Sequence, residues 1–144
     1  MHRFFTFSVC VAGLVCLGSC EKEEASSRLL DTRWMLVQVE ETPISLSSYS
    51  GTYRSYIQFS SQNKTSGLGP CNSFSGTFSQ GSAARQLTIS QQASTRAACG
   101  AMMWEDKYFN ALPRTARYEI SGKELRLYDA TNSVQPLLVF ENRD

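Results

Sequence analysis

Histidine is nearly missing from this sequence: His2 is the only one in 144 residues. So little imidazole leaves no material for Ser-His-Asp or Cys-His catalysis, for an imidazole general base, or for a histidine-rich zinc site. Acidic side chains are missing from a long internal stretch, because residues 42–104 carry no Asp or Glu. Calcium loops need clustered carboxylates, so that stretch excludes them. There is no GxxxxGK[ST] phosphate loop, and Gly67-Leu68-Gly69 lacks the third glycine of a dinucleotide fingerprint. No apolar run reaches the roughly 20 residues of a transmembrane span. A net charge of +1, from 14 basic and 13 acidic residues, lacks the basic excess of a nucleic-acid-binding domain. What the sequence has instead is 42% hydrophobic residues and a length suited to one globular domain.

The first nineteen residues read as a targeting segment. Met1-His2-Arg3 is a short positive start, Phe4 to Leu17 is mostly apolar and uncharged, and Gly18-Ser19 supplies small residues for cleavage. Leu17-Gly18-Ser19-Cys20 resembles the bacterial lipobox, in which the chain is cut before the cysteine and that cysteine is lipidated. Two acyl chains suffice for stable anchoring. An ordinary secretory signal is the plainer alternative. Removal of residues 1–19 would leave 125 residues with 13 bases, 13 acids and no histidine. Residues 20–29 then form the lipidated cysteine and a polar tether, and residues 30–144 form the domain. The acidic run Glu21-Lys22-Glu23-Glu24 resembles the surface-export signal of some Gram-negative lipoproteins, with a solvated linker as the alternative. The lack of Asp after Cys20 fits outer-membrane sorting, facing the periplasm or the cell surface.

Two cysteines, Cys71 and Cys99, stay in the expected domain. In an oxidising compartment an even count favours a disulfide. Free buried thiols, or redox or metal chemistry, are the alternatives, although the CxxC spacing of a redox pair is missing.

The pattern is mainly strand. Apolar or alternating runs at Trp34–Val39, Tyr56–Phe59, Asn72–Phe78, Leu87–Ile89, Arg117–Ile120, Leu125–Tyr128 and Leu137–Phe140 predict an antiparallel sheet. Ser121-Gly122-Lys123-Glu124 predicts a hairpin, and Gly76 a close approach or bulge. The Ser-rich stretch from Pro43 to Tyr53 reads as loop. Cys99 to Leu112 spaces Met102, Met103, Trp104, Tyr108, Phe109 and Leu112 by threes and fours, which predicts one core-packing helix at about residues 100–112, ended by Pro113. The fold class is therefore α+β, mainly antiparallel β in a small barrel-like sheet, with one packed helix.

Carboxylate neighbours occur at Glu40-Glu41 and Glu105-Asp106. Positions i and i+1 point apart on a strand or helix, so neither is a ready acid/base dyad. The acid-free middle holds Arg54, Lys64, Arg85 and Arg96. It reads either as a mildly positive face for an acidic partner or anionic glycan, or as an ordinary Ser/Thr/Gln-rich exterior.

Several motifs together resemble the META domain of HslJ-like bacterial lipoproteins. Trp34-Met35-Leu36 resembles its opening W-x-L. Gly67-Leu68-Gly69-Pro70-Cys71-Asn72-Ser73-Phe74-Ser75-Gly76 resembles its central G-x-G-G-C-N-x-F-x-G. Ser94-Thr95-Arg96-Ala97-Ala98-Cys99 resembles its S-T-[RK]-M-A-C, and Glu105-x-x-x-Phe109-x-x-Leu112 its helix. The departures are Pro70 for a glycine and Ala97 for the common methionine. The resemblance implies a β-rich barrel-like domain tied to envelope or stress phenotypes, with no known catalysis. On it, Trp34, Gly67, Gly69, Asn72, Phe74, Gly76, Thr95, Arg96 and Glu105 are structural motif residues. No catalytic residue, metal ligand or cofactor is assigned. The expected partners are a lipid bilayer, through Cys20, and an unidentified envelope protein or glycan, not nucleic acid. A small-ligand or inhibitor-type binding barrel is the alternative, and a carboxylate-based hydrolase a second.

Overall fold

A computed structural model of the chain describes residues 28–143. The signal segment, Cys20 and the tether up to Ser27 lie outside the described residues. Ten strands build the fold: β1 (Trp34–Val39), β2 (Thr42–Pro43), β3 (Tyr56–Phe59), β4 (Lys64–Leu68), β5 (Ser73–Gln80), β6 (Leu87–Ile89), β7 (Ala93–Ser94), β8 (Thr115–Ser121), β9 (Glu124–Asp129) and β10 (Leu138–Asn142). The helix α1 (Met102–Ala111) runs into a 3-10 turn at Leu112–Arg114, where Pro113 is accepted in the first turn.

All named strand pairings are antiparallel, in the order β6-β5-β4-β3-β1-β10-β9-β8, with β2 beside β1 and β7 beside β5. The two ends of this path meet. Gln86 bridges Arg117, and the Tyr118 amide donates to the Arg85 carbonyl at 2.9 Å. The sheet thereby curls into a nearly closed barrel. Bulges between Leu36 and Gln38 and between Thr115 and Arg117 add the local bend that closure requires. The Ser121–Glu124 hairpin forms as its sequence predicts, with Gly122 at φ +58° supplying the left-handed turn residue.

Inward positions fill the barrel: Leu36, Ile57, Phe59, Phe74, Phe78, Leu87, Ile89, Leu125, Leu127, Leu138 and Phe140 are buried in one cluster. The α1 residues Tyr108, Ala111 and the following Leu112 join that cluster. The expected helix stripe is only partly right. Met102 is 37% and Met103 67% exposed, whereas Glu105 is 2% exposed. The side of α1 that faces inward runs through Glu105, Tyr108 and Ala111, so the methionines fall outside it. The segment read as loop from Pro43 to Tyr53 contains 3-10 turns at Ile44–Leu46 and Ser50–Arg54. Leu29, assigned to the tether from sequence, is fully buried, and its carbonyl accepts the Trp34 indole N–H at 3.1 Å.

Strand β4 carries no hydrophobic alternation because its inward side chains are minimal. A Cβ on Gly67 would collide with the Tyr56 carbonyl oxygen and the Phe74 ring. The missing side chain makes room for a large aromatic from the next strand.

Candidate functional site

The motif residues from three separated segments meet at one end of β5. The turn Gly69–Asn72 joins β4 to β5, the segment 95–98 follows β7, and Glu105 projects from the first turns of α1. Cys71 and Cys99 form a disulfide there, with their Cα atoms 5.8 Å apart.

Glu105 is the hub. Its Oε2 accepts the amides of Cys71 at 2.8 Å and Asn72 at 2.7 Å, and its Oε1 accepts Asn72 Nδ2 at 2.5 Å. A carboxylate buried without a cation is tolerated when several donors replace its hydration. Asn72 is 2% exposed and equally committed. Its Nδ2 also donates to the Ala97 carbonyl at 2.9 Å, while its Oδ1 accepts the Thr95 hydroxyl at 2.8 Å and the Ala97 amide at 2.7 Å. The Gly69 amide donates to the Asn72 carbonyl at 2.7 Å. A side chain at Gly69 would press on Glu105 Oε2 and the Phe109 ring. Pro70 fits because the donors used by the network are the amides of Gly69, Cys71 and Asn72, and none is needed at position 70.

The other motif residues pack around this hub. Phe74 stands edge-on to Tyr108 and Phe109, with ring centroids 5.7 and 5.3 Å away. Gly76 lies under the Gln92 side chain, which in turn accepts the Thr65 hydroxyl at 2.7 Å. Trp34 is buried in the core, with its indole N–H given to the Leu29 carbonyl, and makes no hydrogen bond to the cluster. Arg96 differs from all of these. It is exposed, with no hydrogen bond, ion pair or ring contact among the described residues. A groove of about 230 Å³ runs beside it between segment 94–98 and α1, lined by Asn72, Met102, Asp106 and Phe109 among others.

A second concavity, of about 450 Å³, opens at another edge of the barrel between Glu40, Glu41, Arg114, Asp129 and Gln135. Arg114 donates to Asp129 at 3.0 Å and to Glu40 at 3.4 Å. Asp129 also accepts the Thr131 amide at 3.1 Å. That amide, then the guanidinium, holds its carboxyl below the ordinary aspartate range. Sequence neighbours predicted none of this, since Glu40, Arg114 and Asp129 come from three distant segments. Glu105 and Asp106 are separated as well, one buried and one exposed. No group of three or more Cys, His, Asp or Glu side chains is arranged to hold a metal ion among the described residues.

Comparison with known proteins places this geometry. The family model of the META domain matches residues 27–144. No curated protein matches the chain. A crystal structure of a DUF4847 family protein from Bacteroides vulgatus is similar at 12% identity and a TM-score of 0.61, over 83% of this chain and 99% of that one. An NMR structure of a protein from Burkholderia xenovorans is similar at 19% identity and a TM-score of 0.60, over 94% of this chain and 97% of that one. Another NMR structure shares 22% identity at a TM-score of 0.60, over 82% and 94% of the two chains. These likenesses concern the fold.

Proposed function

The chain belongs to the META domain family, and we propose that it acts as a non-enzymatic binding module, held at the outer membrane by lipidated Cys20, that engages another envelope component and supports envelope stress tolerance. The observation that carries this reading is the commitment of the two buried polar motif side chains, Glu105 and Asn72, to bracing the fold. Both oxygens of Glu105 and both ends of the Asn72 amide are occupied by the fold's own groups, and each residue is only 2% exposed, at the floor of the groove beside Arg96. A general acid or base must reach the proton it moves. The lipobox-like Leu17–Cys20 and the charged tether support the anchor. No helix among the described residues is long and apolar enough to cross a membrane.

Cys20→Ala should move the protein from the membrane to the soluble fraction; unchanged fractionation refutes lipidation. Affinity capture from membranes should recover an envelope component above background, and deletion should reduce survival under envelope stress. Failure of both removes the binding role.

A second reading, small-ligand binding, rests on the concavity beside Arg114. The barrel interior is filled with side chains, so a small molecule would sit at that rim. A hydrolase there would need one carboxyl raised to act as an acid, whereas Asp129 is held low.

A further inference from the structure

The segment 93–98 has an open backbone edge. Ala93 and Ser94 pair with Ser75 and Phe74, and the Thr95 amide donates to the Ser73 carbonyl at 3.1 Å. Ala97 then continues the same inward alternation through Asn72, whose side chain imitates a neighbouring strand by accepting its N–H and donating to its C=O. The residues between them face the other way. Arg96 and Ala98 make no hydrogen bond with any part of the described protein, and all six residues from 93 to 98 are exposed. Strand β7 itself is only Ala93–Ser94, and the Thr95 and Ala97 bonds prolong its alternation to a run of six residues, about 20 Å when extended.

We propose that this edge receives an extended peptide segment of a partner protein as an added strand, with an acidic side chain of that segment meeting Arg96. The inference rests on the binding-module reading and names its surface. Main-chain pairing would use the outward N–H and C=O groups of Arg96 and Ala98, and alternate side chains of the guest would set specificity. Charge complementarity chooses the guest. Arg96 is an unpaired cation on the edge itself, in a stretch of 63 residues that has no carboxylate of its own. The adjoining groove, with Met102 and Phe109 in its lining, offers an apolar seat for a neighbouring guest residue, and Asp106 on its α1 side disfavours a second acid there. The unpaired edge is short and carries an arginine, which keeps it from pairing indiscriminately.

The test uses the full chain purified in detergent and isotope-labelled. The probe is a capped hexapeptide alternating threonine and valine with one central glutamate, and the control carries lysine in its place. The glutamate peptide should shift the amide resonances of Arg96 and Ala98 and slow their hydrogen exchange. It should bind about tenfold more tightly than the lysine peptide, about 1.4 kcal/mol. Arg96→Glu should reverse that preference. Arg96→Pro removes an N–H that the fold does not use, so it should abolish binding while leaving the thermal midpoint nearly unchanged. Equal binding of the two peptides, shifts confined to other surfaces, or no shift at millimolar peptide would overturn the proposal. Each outcome is read in purified protein, separately from the anchoring and capture experiments.

Discussion

Replacing Glu105 by glutamine exchanges one carboxylate oxygen for an NH2 group and tests whether the buried network carries stability. The carboxylate accepts three N–H groups, two of them on Oε2. A glutamine can keep its carbonyl oxygen at the Oε2 position and retain both backbone donors. Its amide nitrogen then faces Asn72 Nδ2, donor against donor. Flipping Asn72 repairs that contact but points its nitrogen at the Ala97 amide, which now donates to Oδ1 at 2.7 Å. No arrangement of the two amides satisfies all partners. One hydrogen bond to a charged group is lost and one buried donor is orphaned, at a cost of about 2–3 kcal/mol. For a domain of this size that lowers the melting midpoint by roughly 8–12 °C. Urea unfolding should show the midpoint falling while the slope stays constant. Asn72→Ala combined with Glu105→Gln should be less damaging than the sum of the two, because they break a shared bond. A loss below about 0.5 kcal/mol for Glu105→Gln, or strict additivity of the pair, would refute the assignment of Glu105 as the hub, since isolated surface changes have effects of that size.

Reducing the disulfide, or replacing both Cys71 and Cys99 by serine, should cost about 3–4 kcal/mol for the 28-residue separation, by chain-entropy reasoning; denaturant melts with and without reductant measure it. Tyr108 is fully buried with no partner for its hydroxyl among the described residues, and burial raises its pKa well above the usual phenol value. Tyr108→Phe should therefore be neutral or stabilising by up to about 1–2 kcal/mol, and a clear loss in calorimetry would reveal an internal partner for the hydroxyl. Asp129 has a lowered carboxyl pKa in the folded state. Its contribution is present above the unfolded aspartate pKa, near 4, and is lost as pH falls through the lower folded value. Stability of the wild type should thus decline more steeply below about pH 4 than that of Asp129→Asn, and parallel acid-unfolding curves would contradict this.

Much of the barrel was legible because its inward residues are apolar and evenly spaced. Trp34–Val39, Leu87–Ile89 and Leu125–Tyr128 show this plainly. Strand β4 escaped because Thr65 and Gly67 face inward with almost nothing to bury, their space being taken by Phe74 and Gln92 from elsewhere in the chain. The helix was legible as a helix but not in its orientation. Spacing places Met102 and Met103 as well as it places Tyr108, and only the demand of the Asn72 turn for an acceptor turns Glu105 inward. The motif residues were identified by resemblance, while their joint role depends on contacts across 23–34 residues of sequence. The open edge at Arg96 had no local signal, because it is defined by which neighbour is missing.

The strand order has a consequence for a chain made from one end. The first long strand, β1, and the last, β10, are partners in the middle of the sheet, Trp34 opposite Asn142. The β8–β9 hairpin and the β3–β5 meander can each form from nearby residues, but their ladder through the middle of the sheet is continuous only when Leu138–Asn142 slots between β1 and β9. Until β10 emerges, from a ribosome or across a membrane, β1 and β9 wait with raw edges. Completion is therefore timed by the arrival of β10, and a chain cut before that strand loses the keystone of the ring.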